Sequence, residues 1–175
     1  KYDNLYKQFN PVKFDAKEWV TIAKGAGMKY IVFVAKHWDG FCLWPTKTTD
    51  YNISNSPFKR DICGELAAES RRQGLKIGWY FCPADKHDPD CHTARNDRYL
   101  ERMRGQLTEL LSNYGEISVM WFDYAAPPEG KPWDLDNTYA LVKKLQPKII
   151  INNRLDMDTM ADYWAQQVGP NADYY

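Results

Sequence analysis

Asp123 closes an uncharged, β-branched and aromatic run over residues 117–122, and the Ala-Ala-Pro-Pro after Tyr124 cannot continue a strand. A carboxylate set against Trp121, Phe122 and Tyr124 is poorly solvated, so its neighbours decide its reactivity. An aspartate at such a junction also serves as a helix cap or a loop tether. His37 stands in a similar place, after the apolar run 30–35 and before a turn at Asp39-Gly40. A neutral imidazole there can hydrogen-bond a substrate hydroxyl, or it can satisfy a structural contact. Arg154 follows three isoleucines and two asparagines and offers a fork of donors, with a salt bridge closing the next loop as the alternative. Cys82, His87, Cys91 and His92 fall within eleven residues. Zinc accepts those ligand types, yet the spacing lacks the paired pattern of a zinc site, so no metal is expected. No glycine-rich phosphate loop or Ser-His-Asp order is present.

Such residues need a scaffold, and helical and strand signals alternate along the chain to supply one. Asp15 with Glu18 three residues on is a capping-box pattern, Trp19, Val20, Ile22 and Ala23 form an apolar side, and Gly25 and Gly27 end the helix. A strand follows over 30–35, then a long connection, a helix over 61–73 closed by Gly74, and a strand over 75–81. The spacing of Leu100, Met103, Leu107, Leu110 and Leu111 predicts a third helix within 96–115. Residues 117–122 form the third strand, 135–146 a helix ended before Pro147, and 148–152 the fourth strand. Strands apolar along their length and separated by helices imply a parallel sheet covered on at least one face. That leaves a doubly wound sheet or part of a (β/α)8 barrel, and a full barrel takes about 250 residues. In either fold the site lies beyond the carboxyl ends of the strands. Asp123 sits at such an end, as do Lys36, His37, Trp38 and Asp39, Cys82, and Asn152, Asn153 and Arg154. The ionisable residues therefore gather at one rim.

Composition narrows the partners. Lys+Arg and Asp+Glu each number 23, which gives no electrostatic reason to expect nucleic acid or an anionic membrane surface. No apolar run approaches the length of a membrane span. Aromatic residues reach 15%, with seven Trp and twelve Tyr, enough to stack on sugar faces or simply to fill a core. The four cysteines are too few and scattered for a disulfide framework. Asn52-Ile53-Ser54 is a glycosylation sequon, meaningful only in a eukaryotic secretory setting.

Taken together, "QFNPVKFDAKEWVTIAKGAGMKYIVFVAKHWDGFCLWPTKTTDYNI", "GLKIGWYF", "QLTELLSNYGEISVMWFD", "LQPKIIINNRLD" and the closing "ADYY" resemble, in order, the α-L-fucosidase family of retaining glycoside hydrolases. The resemblance implies a catalytic (β/α)8-like barrel needing no metal or cofactor, of which 1–175 would be about four βα units of a single domain. It implies that Asp123, in a Trp-Phe-Asp motif, is the nucleophile. His37 matches the first histidine of the family's Lys-His-His-Asp-Gly-Phe motif, and Trp38 stands where the second usually is. Tyr80, Trp121 and Arg154 match positions lining the fucose pocket, while Tyr124 replaces a small residue and would narrow it. The expected partner is a fucosylated oligosaccharide or glycoconjugate, in a secreted, periplasmic or lysosomal setting. The family's first strand, with its His-Trp-Gly motif, is expected before Lys1, and the general acid/base beyond Tyr175, with no β-sandwich domain in between. With one carboxylate of the pair, the chain alone is expected to hydrolyse slowly or not at all. Open barrel edges and an uncovered apolar face would favour self-association. The alternative is a non-catalytic fucose-binding or structural fragment of the same barrel.

Overall fold

The computed structural model describes residues 2–123, 133–152 and 154–155 of the chain. After a 3-10 helix, Tyr2–Gln8, come α1 (Ala16–Gly25), β1 (Tyr30–Lys36), a 3-10 turn at Ile53–Asn55, α2 (Ile62–Gln73) and β2 (Lys76–Phe81). Then follow α3 (Asn96–Ser112), β3 (Val119–Phe122), α4 (Leu135–Leu145) and β4 (Ile150–Ile151). Asp15 caps α1 as expected, accepting the Glu18 amide at 3.1 Å, and satisfies an orphan donor of the first turn. Asp61, read from sequence as the first residue of the second helix, instead stands outside it as the cap of α2 and accepts the Gly64 amide at 2.9 Å. Gly74 closes α2 in the left-handed region at φ 73°.

All strands are parallel and adjacent in chain order, β1-β2-β3-β4. These are four βα units in sequence. Two strands are shorter than their apolar runs. β3 is Val119–Phe122, with the Ser118 amide still bonding the Ile77 carbonyl at 2.8 Å, while the Ile117 amide turns to the Gln146 side-chain oxygen at 3.5 Å. β4 keeps only Ile150 and Ile151, since the Ile149 amide turns back to the Gln146 carbonyl at 3.1 Å.

The two faces of the sheet differ. α2 and α3 cover one, where Ile77, Trp79, Phe81, Met120 and Phe122 are buried together with Leu66, Met103, Leu107 and Leu110. The residues alternating with them are open. Tyr30, Val34, Trp121 and Ile150 are 40–66% exposed, and the register places Val34, Tyr80 and Trp121 in one row across the sheet. An apolar sheet face is thus bare among the described residues.

One expectation is corrected here. Lys36 does not join the rim. It is fully buried on the covered face, its ammonium 3.2 Å from an Asp85 carboxylate oxygen. Strand register slips between Val34 and Lys36, and the slip turns Lys36 toward the helices. Cys82 is likewise buried. The sequon also reads differently in three dimensions. Asn52 is 4% exposed, accepts the Ser54 amide at 2.8 Å and donates to the Thr49 carbonyl at 2.7 Å. Its amide nitrogen is a structural donor, closed to an enzyme in the folded chain. Asn52→Ala is expected to cost about 1–3 kcal/mol through the lost cap and unpaired loop carbonyls, read by urea unfolding. Chain folded before contact with an oligosaccharyltransferase should carry no glycan by mass spectrometry.

Candidate active site

At the carboxyl end of β3 the Asp123 backbone amide still bonds the Phe81 carbonyl, at 3.3 Å. The carboxylate therefore leaves the sheet in a direction set by both strands. Its Oδ2 accepts the hydroxyl of Tyr80, the last residue but one of the neighbouring strand β2. Its Oδ1 faces an Arg154 guanidinium nitrogen at 3.4 Å. The imidazole of His37 lies flat against the Tyr80 ring, with centroids 5.4 Å apart and planes 9° apart. Residues 37, 80, 123 and 154 are distant in sequence and form one connected cluster. The Asp123 side chain remains a quarter exposed, so the cluster is open to a ligand. Burial, and then the bond to Asp123, raise the Tyr80 phenol well above its ordinary range. It stays a protonated donor to the carboxylate at any physiological pH.

Asn152, placed at the rim by its position after the fourth apolar run, does more than line it. Its side-chain oxygen accepts the Phe122 amide and its nitrogen donates to the Phe122 carbonyl, both at 2.8 Å. β4 has just ended, so Phe122 would otherwise lack a ladder partner on that side, and the amide stands in for a strand. It fixes the residue immediately before Asp123. The signal available was an Asn at the end of an apolar run; nothing in the sequence says which strand it grips.

Trp121 lies on the open face beside Tyr80, 40% exposed. Trp38 is 48% exposed and stands apart from the carboxylate cluster in its contacts. The Lys86 ammonium sits 4.3 Å above its ring. With Tyr2, His37, Asp39 and Lys86 it lines a cleft of about 550 Å³, within the range of small-ligand sites. His37 belongs to the cluster and also lines the cleft. Tyr124 lies outside the described residues.

The cysteine–histidine segment is dispersed into packing. His87 stacks on Tyr51 at 4.0 Å, and His92 meets Trp133 edge-on at 5.0 Å. Cys82 and Cys91 are buried. Among the described residues no group of three or more His, Cys, Asp or Glu could hold a metal ion. Burial pushes the Cys82 and Cys91 thiols up to about 11 and raises Cys42 and Cys63 as well. At pH 8 both are overwhelmingly in the thiol form. The folded chain should therefore resist iodoacetamide, with labelling rising about tenfold per pH unit and all four sites reacting in denaturant. Rapid stoichiometric labelling of one cysteine in native protein, seen by intact mass, would contradict this.

No described helix is long and apolar enough to cross a membrane. The alpha-L-fucosidase family model matches residues 1–172. The "Putative alpha-L-fucosidase 1" of Oryza sativa subsp. japonica is 40% identical over 158 residues, which is 86% of this chain and 30% of that protein. Among solved structures, alpha-L-fucosidase isoenzyme 1 from Paenibacillus thiaminolyticus superposes with a TM-score of 0.81 at 40% identity, covering 88% of this chain and 41% of that one. Alpha-L-fucosidase AlfC from Lactobacillus casei, in complex with its alpha-L-fucose product, superposes with a TM-score of 0.79 at 35% identity, covering 89% and 55%. The chain thus spans about a third of the curated relative and roughly half of the fucosidase chains whose barrel domains it matches.

Proposed function

We propose that this chain, which belongs to the alpha-L-fucosidase family, carries the nucleophile side of a retaining site for terminal α-L-fucosides. The observation that carries the reading is the Asp123 carboxylate, held by the Tyr80 hydroxyl and faced by Arg154 at the carboxyl end of a parallel strand. In a retaining mechanism such a carboxylate attacks the anomeric carbon as the glycosidic C–O bond breaks, giving a covalent glycosyl ester. A second carboxyl group, about 5–5.5 Å away, protonates the leaving oxygen and then takes a proton from the water that cleaves the ester. Tyr80 occupies one carboxylate oxygen and fixes its orientation, and Arg154 supplies a counter-charge and spare donors for ring hydroxyls. His37 offers a further donor or acceptor. The exposed Trp121 indole gives the sugar an apolar wall for its C–H face and methyl group. Trp38 puts an indole already engaged by Lys86 where the family motif has a second histidine, so a polar contact to the sugar gives way to a flat rim. The complex of the AlfC relative with its alpha-L-fucose product supports the choice of sugar.

An activated 2-fluoro-fucoside isolates the nucleophile half, because a leaving group that departs unprotonated needs no general acid. The expected result is one fucosyl adduct per chain, mapped by peptide mass spectrometry to Asp123. An adduct on another carboxylate, or none under conditions where the sugar binds, would overturn the assignment.

A further inference from the structure

We propose that the buried Lys36–Asp85 ion pair is a positioning device for His37, fixing a bulge in β1 that turns the imidazole onto the site. Its functional consequence rests on the reading of Asp123 as the fucoside nucleophile; its geometry does not. Strict alternation from Val32 and Val34 would send residue 36 to the open face and residue 37 under the helices. The register instead runs Val34 to Tyr80 and then Lys36 to Phe81. Ala35 and Lys36 therefore follow one another on the covered face, both fully buried. His37 emerges on the Tyr80 side and stacks on that ring. A one-residue bulge re-aims every side chain beyond it.

Apolar packing does not select this register, because both faces of β1 are apolar: Ile31, Phe33 and Ala35 on one, Tyr30, Val32 and Val34 on the other. A charged group does select it. The Lys36 ammonium lies 3.2 Å from the Asp85 carboxylate, 3.2 Å from the Tyr99 hydroxyl and 4.5 Å from the Phe81 ring centroid. On the covered face a lysine without those partners would be costly. Asp85 is prepared for it. The other carboxylate oxygen accepts the His87 and Asp88 amides at 3.0 and 2.9 Å. The two strand-end loops then close around the pair. The Cys82 amide bonds the Lys36 carbonyl at 3.0 Å, the Lys86 amide bonds that of Trp38 at 2.9 Å, and the Gly40 amide bonds that of His37 at 3.0 Å. Gly40 sits at φ +83°, and a Cβ there would overlap the Asp85 carboxylate. A buried pair is often replaceable by apolar residues without loss of stability. What such a replacement removes here is the reason for the bulge.

The test is NMR on the chain as it stands, comparing wild type with Lys36→Met and with Lys36→Met/Asp85→Asn, the second removing the unpaired carboxylate that would destabilise the first. In wild type the His37 ring protons are expected to be shifted upfield by Tyr80, with cross-peaks between the two rings. Both signatures should be lost in a folded variant, while Trp79 and Phe122 core signals persist. In a cycle with His37→Ala read by fucose binding, Lys36→Met should add nothing to the loss His37→Ala already causes. Survival of the stack in a folded variant, additive losses, or failure of both variants to fold would assign the pair to the core alone and overturn the proposal. Loss of the stack in protein whose wild type binds no fucose would sustain the positioning role and sink the fucosidase reading.

Discussion

Asp123→Ala is expected to lower fucoside turnover by about 10³-fold or more in active protein carrying this chain, with substrate affinity little changed. The substitution removes the attacking oxygen and leaves the Tyr80 hydroxyl and the Arg154 guanidinium in place to bind the sugar. The loss should therefore fall on kcat. The vacated space admits a small anion, so added azide should restore cleavage of an aryl fucoside with a good leaving group. The product would be the β-fucosyl azide, inverted because the enzyme's own displacement step is missing. Restoration without inversion, or a variant within about tenfold of wild type, would remove Asp123 from the reaction. A protein that merely binds fucose would keep its affinity in the variant and show no turnover before or after.

The largest expected loss of stability lies one layer below the site. Trp79 alternates with Tyr80 on β2, fully buried beneath α3, its indole nitrogen donating to the Leu110 carbonyl at 3.0 Å and its ring meeting Tyr114 edge-on at 5.8 Å. Trp79→Ala would open a cavity and leave that carbonyl with one partner fewer, at a cost of about 3–5 kcal/mol. Domains are stable by only about 5–15 kcal/mol, so the transition should fall by roughly 6–20 °C. Circular dichroism melting reads this directly. Trp121→Ala is the control, since that indole is 40% exposed on the other face and its truncation should shift the melt far less. Equal shifts for the two would mean that the open face is covered in solution.

Much of this was legible in the residues. The cap at Asp15 and the left-handed glycine at 74 set helix ends through bonds made within a few residues, so local sequence suffices to read them. The apolar runs located all four strands. They overstated β3 and β4, because where a strand stops depends on which neighbour still offers a carbonyl. Asp123, His37, Tyr80 and Arg154 could be named as candidates from strand-end position and family resemblance. Their convergence could not be measured until Tyr80 was seen bonding the carboxylate and stacking under the imidazole. Asn152 could be placed at the rim but its role there could not be read, since that role is to replace a strand that ends early.

By itself, then, the order of residues determined the alternation of helix and strand, the parallel sheet and the rim on which ionisable groups collect. Those follow from periodicity and from caps whose partners lie close along the chain. Tertiary structure alone decided which way the residues at the end of β1 point. Both faces of that strand are apolar, so pattern is silent between two registers, and the choice falls to an ammonium at 36 meeting a carboxylate 49 positions later.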